Sequence, residues 1–94
     1  MFRHITLFKS SQSDEILQIC QHVMSLKNEI SGLLDVTYSK NLTDNAKGYN
    51  QMAFMDFRDQ DDFVNWSNHP YHKEVVGRLK KIADTLFFDY EYPS

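Results

Sequence analysis

Long apolar runs, a strong charge of either sign, and cysteine are what this chain has least of. No stretch approaches the roughly 20 apolar residues that a membrane-spanning helix needs. The opening segment MFRHITLFKS is too short and too polar for the apolar part of a secretory leader. The single cysteine, Cys20, has no partner for an internal disulfide, which suits a reducing compartment, and a cytoplasmic location is expected. Ten Lys and Arg face 13 Asp and Glu, a net charge of -3. Only Arg78, Lys80 and Lys81 gather on one segment, so no basic surface for nucleic acid is expected, and no membrane partner either. The Asn41-Leu42-Thr43 triplet has the form of a glycosylation site, but without a secretory segment it is read as coincidence. With three Gly and two Pro, the chain shows no repeat, no low-complexity tract and no linker.

What is present is enough for one packed domain over residues 1–94, since 41% of the chain is hydrophobic and 14% aromatic. Residues 2–9, FRHITLFK, alternate as a strand, with Ile5 and Leu7 facing one way and His4, Thr6 and Phe8 the other. A helix follows, capped by Ser11 or Ser13 and running to about Lys27, with Ile16, Ile19, Cys20, Val23 and Met24 as its apolar stripe. Cys20 reads as a core thiol, and His22 breaks the stripe and faces water. Leu33 to Ser39 and Tyr49 to Phe57 form a hairpin across the polar loop NLTDNAKG. Asp59 to Asp62 open a short helix that carries Phe63 and Trp66, Pro70 starts a longer one to about Thr85, and FFDYEY closes as a fourth strand. The order β-α-β-β-α-β predicts an α+β, ferredoxin-like fold with a four-stranded antiparallel sheet.

These strands carry bulk on both faces, whereas an antiparallel sheet with helices on one side ordinarily shows water a polar other side. The uncovered bulk is assigned to Phe8, Met55, Phe57 and the row Phe88, Tyr90, Tyr92. A second copy of the chain is the simplest cover, so a homodimer packed sheet to sheet is expected.

The densest chemistry lies in residues 69–72, HPYH. Proline fits the first turn of a helix, where its missing N–H costs nothing, so Asn68 or His69 is the cap. Down that helix Val75, Val76, Leu79, Ile82, Ala83 and Leu86 form the buried stripe, and His72 stands three residues before Val75 on the same face. Burial and the positive helix end both disfavour imidazolium, so His72 is expected neutral at pH 7 and able to take a proton. Three readings of it stand: a bonded core histidine, a polar group lining a ligand cleft, or half of a metal pair with His69. Nothing nearby in sequence supplies a third ligand for the last, so no metal is assigned. His4, on the same strand face as Thr6, supports the cleft.

The FRHITLFK strand with its histidine, Gly48-Tyr49 entering the third strand, the turn from Phe57 to Phe63, HPYH and the closing FFDYEY together resemble the stress-responsive dimeric α/β-barrel family. The likeness spans almost the whole chain. It implies a protomer whose sheet packs on that of its twin to form a barrel, with a small-molecule pocket and no cofactor. The best-understood type of member is a polyketide cyclase similar to olivetolic acid cyclase. By that resemblance His72 is the acid/base and His4 lines the pocket, with Gln51 and Trp66 at matching pocket positions; Thr6 and Tyr49 are expected in the ligand site beside them. The sequence departs from the type at two places, with Trp66 where a tyrosine orients substrate and Gln51 where a second histidine stands. Trp66 offers only an indole N–H, and Gln51 exchanges no proton near neutral pH. The leading expectation is therefore a small-molecule pocket with cofactor-independent cyclase- or lyase-like chemistry on a carbonyl compound. A non-catalytic stress-related or ligand-binding protein and a cofactor-independent monooxygenase are the alternatives.

Overall fold

Alternation of β-branched and aromatic side chains makes Phe2–Lys9 the first strand, β1, in the computed structural model, which describes residues 1–93. Helix α1 spans Ser13–Ser25, and a 3-10 turn at Lys27–Glu29 leads into β2, Leu33–Lys40. Strand β3, Gln51–Phe57, returns along β2 as a hairpin. Helices α2, Gln60–Ser67, and α3, Pro70–Lys80, precede β4, Asp84–Glu91. The sheet order is β2-β3-β1-β4 with every neighbouring pair antiparallel, the ferredoxin-like α+β arrangement. Strand β1 therefore lies inside the sheet, with β3 on one side and β4 on the other.

Helix ends follow local chemistry with one exception. Asp59 caps α2 by accepting from the Asp62 backbone N–H at 3.0 Å. His69 caps α3, its Nδ1 accepting from the Tyr71 N–H at 3.0 Å, with Pro70 in the first turn. At α1 neither Ser11 nor Ser13 caps; Gln12 occupies that position without a side-chain bond. Ser10 acts from outside the helix instead. Its hydroxyl accepts from the Gln12 N–H at 2.9 Å and donates to the Ile82 carbonyl at 2.6 Å, tying the start of α1 to the turn after α3. Helix α1 ends at Ser25, its last turn tightening to 3-10, and α3 ends at Lys80 rather than near Thr85. The chain is drawn off α3 because it pairs with β1 from Asp84 onward. Leu86 thereby leaves the helix stripe expected for it and joins the sheet.

The core lies between the sheet and the helices. Phe2, Ile19, Val23, Ile30, Leu33, Phe57, Trp66 and Val75 form one buried cluster, and Phe8, Ile16 and Ala53 another beside it. Each fully buried side chain of this size contributes about 1.5–3 kcal/mol. This corrects the assignment of three residues. Phe8 and Phe57 are 2% and 0% exposed beneath the helices, and Met55 packs against the same core. Alternation within β1, β3 and β4 was legible, but apolar bulk on both faces gave no sign of which face the helices cover.

The open face carries Ile5 and Leu7 of β1, Met52 and Phe54 of β3, and Leu86, Phe88 and Tyr90 of β4, which the register sets side by side. Phe88 is 64% exposed. Arg3 is a polar group set among them. It donates from Nε and Nη2 to the two carboxylate oxygens of Asp56 at 2.7 and 3.0 Å, and from Nη1 to the Tyr90 hydroxyl at 3.3 Å. Its guanidinium lies 4.1 Å from the centre of the Phe54 ring and 5.0 Å from that of Tyr92. The hydrogen bonds to Asp56, opposed by desolvation, raise its pKa further and keep the charge fixed.

Gly32 shows how tightly β2 is entered. Its φ is +73°, and a Cβ there would stand 1.9 Å from Oδ2 of Asp62. That carboxylate is itself held by Arg58, whose Nε donates at 3.0 Å. Gly32→Ala is expected to destabilise the fold by more than about 2 kcal/mol in urea denaturation. Gly77→Ala, with open space around the position in α3, should stabilise it by up to about 1 kcal/mol.

Candidate functional site

Because β1 is central, the side chains it turns toward the helices occupy the middle of the covered face. Alternation from the buried Phe2 brings His4, Thr6 and Phe8 there in turn. The β1–β4 register sets Asp89 opposite His4 on this face, and Thr85 opposite Phe8. Helix α3 starts at Pro70, so the first turn carries His72 inward above Val75, Val76 and Leu79. Together with α1 and α2 these elements enclose a cavity of about 520 Å³. His4, Thr6, Trp66 and His72 all line it, within walls made mostly of Ile19, Val23, Val36, Phe63 and Phe87.

His4 is held on every side. Its Nδ1 and Oδ1 of Asp89 are 2.5 Å apart, and its ring lies between Phe63 at 4.9 Å and Phe87 at 5.5 Å, centre to centre. A carboxylate accepts only, so Nδ1 donates to Asp89, while Nε2 faces Thr6 Oγ1, 3.4 Å away. His72 meets the buried Trp66 edge-on, with ring centres 5.3 Å apart at 78°. Burial lowers the His72 pKa from the usual imidazole value, repulsion from His4 acts in the same direction, and a backbone hydrogen bond with Ser67 acts against both. A neutral imidazole therefore lines the cavity at pH 7. Cys20 is also in the wall, and burial pushes its thiol up to about 11, so it presents a neutral apolar surface rather than a thiolate.

Two of the residues expected around the ligand lie elsewhere. Gln51 is 2% exposed but is committed to structure, its Oε1 accepting from the Tyr38 hydroxyl at 2.9 Å and its Nε2 donating to the Ser10 carbonyl at 3.2 Å. Tyr49 precedes β3 and packs under the Lys9 ammonium, 4.8 Å from the ring centre, away from the cavity lining. Both sit at the Phe8 end of β1, away from the end that carries His4. His69 and His72 also part company, His69 being spent on the helix cap while His72 faces the cavity. Among the described residues no group of three His, Cys, Asp or Glu is placed to hold a metal ion.

Asp89, Phe63, Phe87 and Lys80 were not anticipated in the site. The carboxylate nearest the middle of the aromatic run FFDYEY was the available signal for Asp89. Its pairing with His4 depends on strand register, which spacing within one strand does not reveal.

The model of the stress-responsive A/B barrel domain matches residues 2–92. The chain belongs to this family. Solved structures with the same fold include a dimeric ferredoxin-like protein of unknown function from Jannaschia sp. CCS1. It is 19% identical with a TM-score of 0.84, the match covering 97% of this chain and 98% of that one. A hydroxynitrile lyase from Passiflora edulis is 21% identical with a TM-score of 0.79, over 98% and 96% of the two chains. SnoaB, a cofactor-independent oxygenase from Streptomyces nogalater, is 13% identical with a TM-score of 0.77, over 99% and 93%. No curated protein matches the sequence. One fold is thus shared by a dimeric protein of unknown function and by enzymes of two unlike chemistries.

The two cavity histidines should be coupled. In an NMR titration His72 should have a midpoint below about 6.5, and in His4→Gln that midpoint should rise, because repulsion from His4 is removed. With the folded pKa depressed, the stability that neutral His72 contributes is present above the unfolded value. It is lost as pH falls through the folded one. Replacing His72 by Ala should cost about 1–2 kcal/mol, the loss expected at a cavity edge.

Proposed function

We propose that this protein is a homodimeric α/β barrel whose protomer cavity binds a small carbonyl compound and transfers protons on it without a cofactor, His72 serving as base and acid. The observation that carries the proposal is the convergence of two histidines on one apolar cavity, one neutral and free to accept a proton, the other locked by a carboxylate. Among such apolar walls a hydrogen bond to a developing oxyanion is worth more than in solution.

In this reading the neutral imidazole of His72 removes a proton from the carbon next to the carbonyl, and the electron pair of that C–H bond moves onto the carbonyl oxygen to give an enolate. Thr6, or the imidazolium formed on His72, donates a hydrogen bond to that oxygen. Asp89 keeps His4 in one tautomer and orientation, which makes it a positioning residue for the cavity wall. Trp66 supplies shape and an indole N–H in place of a phenol, so it orients ligand without exchanging a proton. Gln51, bonded to Tyr38 and Ser10, takes no part.

The homodimer half of the proposal rests on the open face, where Leu7, Leu86 and Phe88 are exposed beside Phe54 and Tyr90. Several structural neighbours with this fold are dimeric. The free thiol of Cys20 and the chain's acidic balance accord with the cytoplasm.

Light scattering at micromolar concentration should give about twice the 11.1 kDa chain mass; a stable monomer there would remove the dimer. For the chemistry, phenylacetone in heavy water is a suitable probe. The protein should accelerate deuterium uptake next to the carbonyl, more so as pH rises through the depressed His72 pKa. His72→Gln should slow it by about 100-fold or more, while His4→Gln and Asp89→Asn have smaller effects. Uptake indifferent to His72→Gln would leave a binding protein and end the catalytic reading.

A further inference from the structure

The cavity has two unlike ends. His4, Asp89 and His72 gather at one. Lys80 and Thr85 line the other, where α3 finishes and β4 begins. Two independent rulers give the distance between them. From His72 to Lys80 the α3 backbone rises about 12 Å. From Thr85 to Asp89, β4 extends about 13 Å. The short turn through Ile82 and Ala83, whose N–H groups both return to the Leu79 carbonyl, folds β4 back along α3. The ends of helix and strand therefore coincide, with Lys80 near Thr85 and His72 near Asp89.

Charge follows the same axis. Asp89 is taken up by His4, whereas Lys80 has no ion-pair partner among the described residues. Between the poles the lining is apolar, with Ile19, Val23, Val76, Leu79 and Phe87. Phe87 is 62% exposed although it stands on the helix-facing side of β4, so the cavity reaches solvent along this edge. The ammonium of Lys80 can enter that opening while its methylene stem lies along the wall.

From this layout we infer that the ligand is an elongated apolar carbonyl compound with an anionic group at its far end, the carbonyl at His72 and the anion, such as a carboxylate, at Lys80. The inference rests on the reading of the cavity as a carbonyl-compound site and adds the length and charge of what fills it. A compact neutral ketone fits only the histidine end and leaves the apolar span and the free cation without a partner. The exposed position of Lys80 makes its contribution one of selection between ligands rather than of bulk affinity.

Calorimetry with three probes tests it: an aryl keto acid with six methylenes between ketone and carboxylate, its methyl ester, and the homologous acid with two methylenes. The long acid should bind the wild-type protein roughly two- to fivefold more tightly than its ester, and raised salt should erase the difference. Lys80→Gln should reduce the long acid to the level of the ester while leaving the ester unchanged. The short acid should gain nothing from Lys80. Equal binding of acid and ester by the wild type, or an equal loss of both in Lys80→Gln, would overturn the inference. If the ketones bind and shift the His72 resonances without any dependence on Lys80, the carbonyl site stands and this inference alone falls. If none of the three binds, both fall.

Discussion

The period-two alternation of β1 is the constraint on which the rest of the molecule depends. As the interior strand it is paired on both edges, so its side chains can only point up toward the helices or down to the open face. His4, Thr6 and Phe8 go up, and Arg3, Ile5 and Leu7 go down. A slip of one residue would carry Arg3 into the apolar cavity and strip His4 of Asp89. Leaving such groups unpaired in an apolar setting costs several kcal/mol by general experience. Register, core and site are therefore specified together, and Phe2 and Phe8, buried at the two ends of the strand, hold that register in place.

The two faces of the strand solve similar electrostatic problems differently. Each carries one cation-capable side chain beside one carboxylate: Arg3 with Asp56 below, His4 with Asp89 above. Arginine keeps its charge at every accessible pH, and with Asp56 and two aromatic rings it forms a fixed polar point on an apolar surface. Histidine with aspartate is held by geometry, with Nδ1 on the carboxylate and the ring between Phe63 and Phe87. That pair lies on the face with the cavity, where repulsion from His4 acts with burial to hold His72 neutral.

Membership of the stress-responsive A/B barrel family accounts for the frame and leaves the chemistry to the side chains. A hydroxynitrile lyase and a cofactor-independent oxygenase share this frame at 21% and 13% identity, a level at which fold persists while wall residues are free to change. In this chain the wall includes Trp66 in α2, Asp89 behind His4, and Lys80 at the far end. Gln51 stays out of that wall because its side chain is bonded to Tyr38 and Ser10.

Element type, order and the alternation within β1, β3 and β4 were legible in the amino-acid sequence, because they depend on local periodicity: alternation in FRHITLFK, helical spacing from Ile16 to Val23, and proline at a helix start. So was the inward, neutral character of His72, which needs only its position ahead of Val75 and Val76. Tertiary structure alone decided which face of the sheet the helices cover, and so moved Phe8 and Phe57 into the core. It also ended α3 at Lys80 and brought Asp89 to His4 across strands 85 residues apart in sequence. The physical reason is range. Periodicity reports how a side chain points relative to its own backbone, whereas the partner it meets is set by pairing and packing between distant segments, where many local patterns are equally compatible.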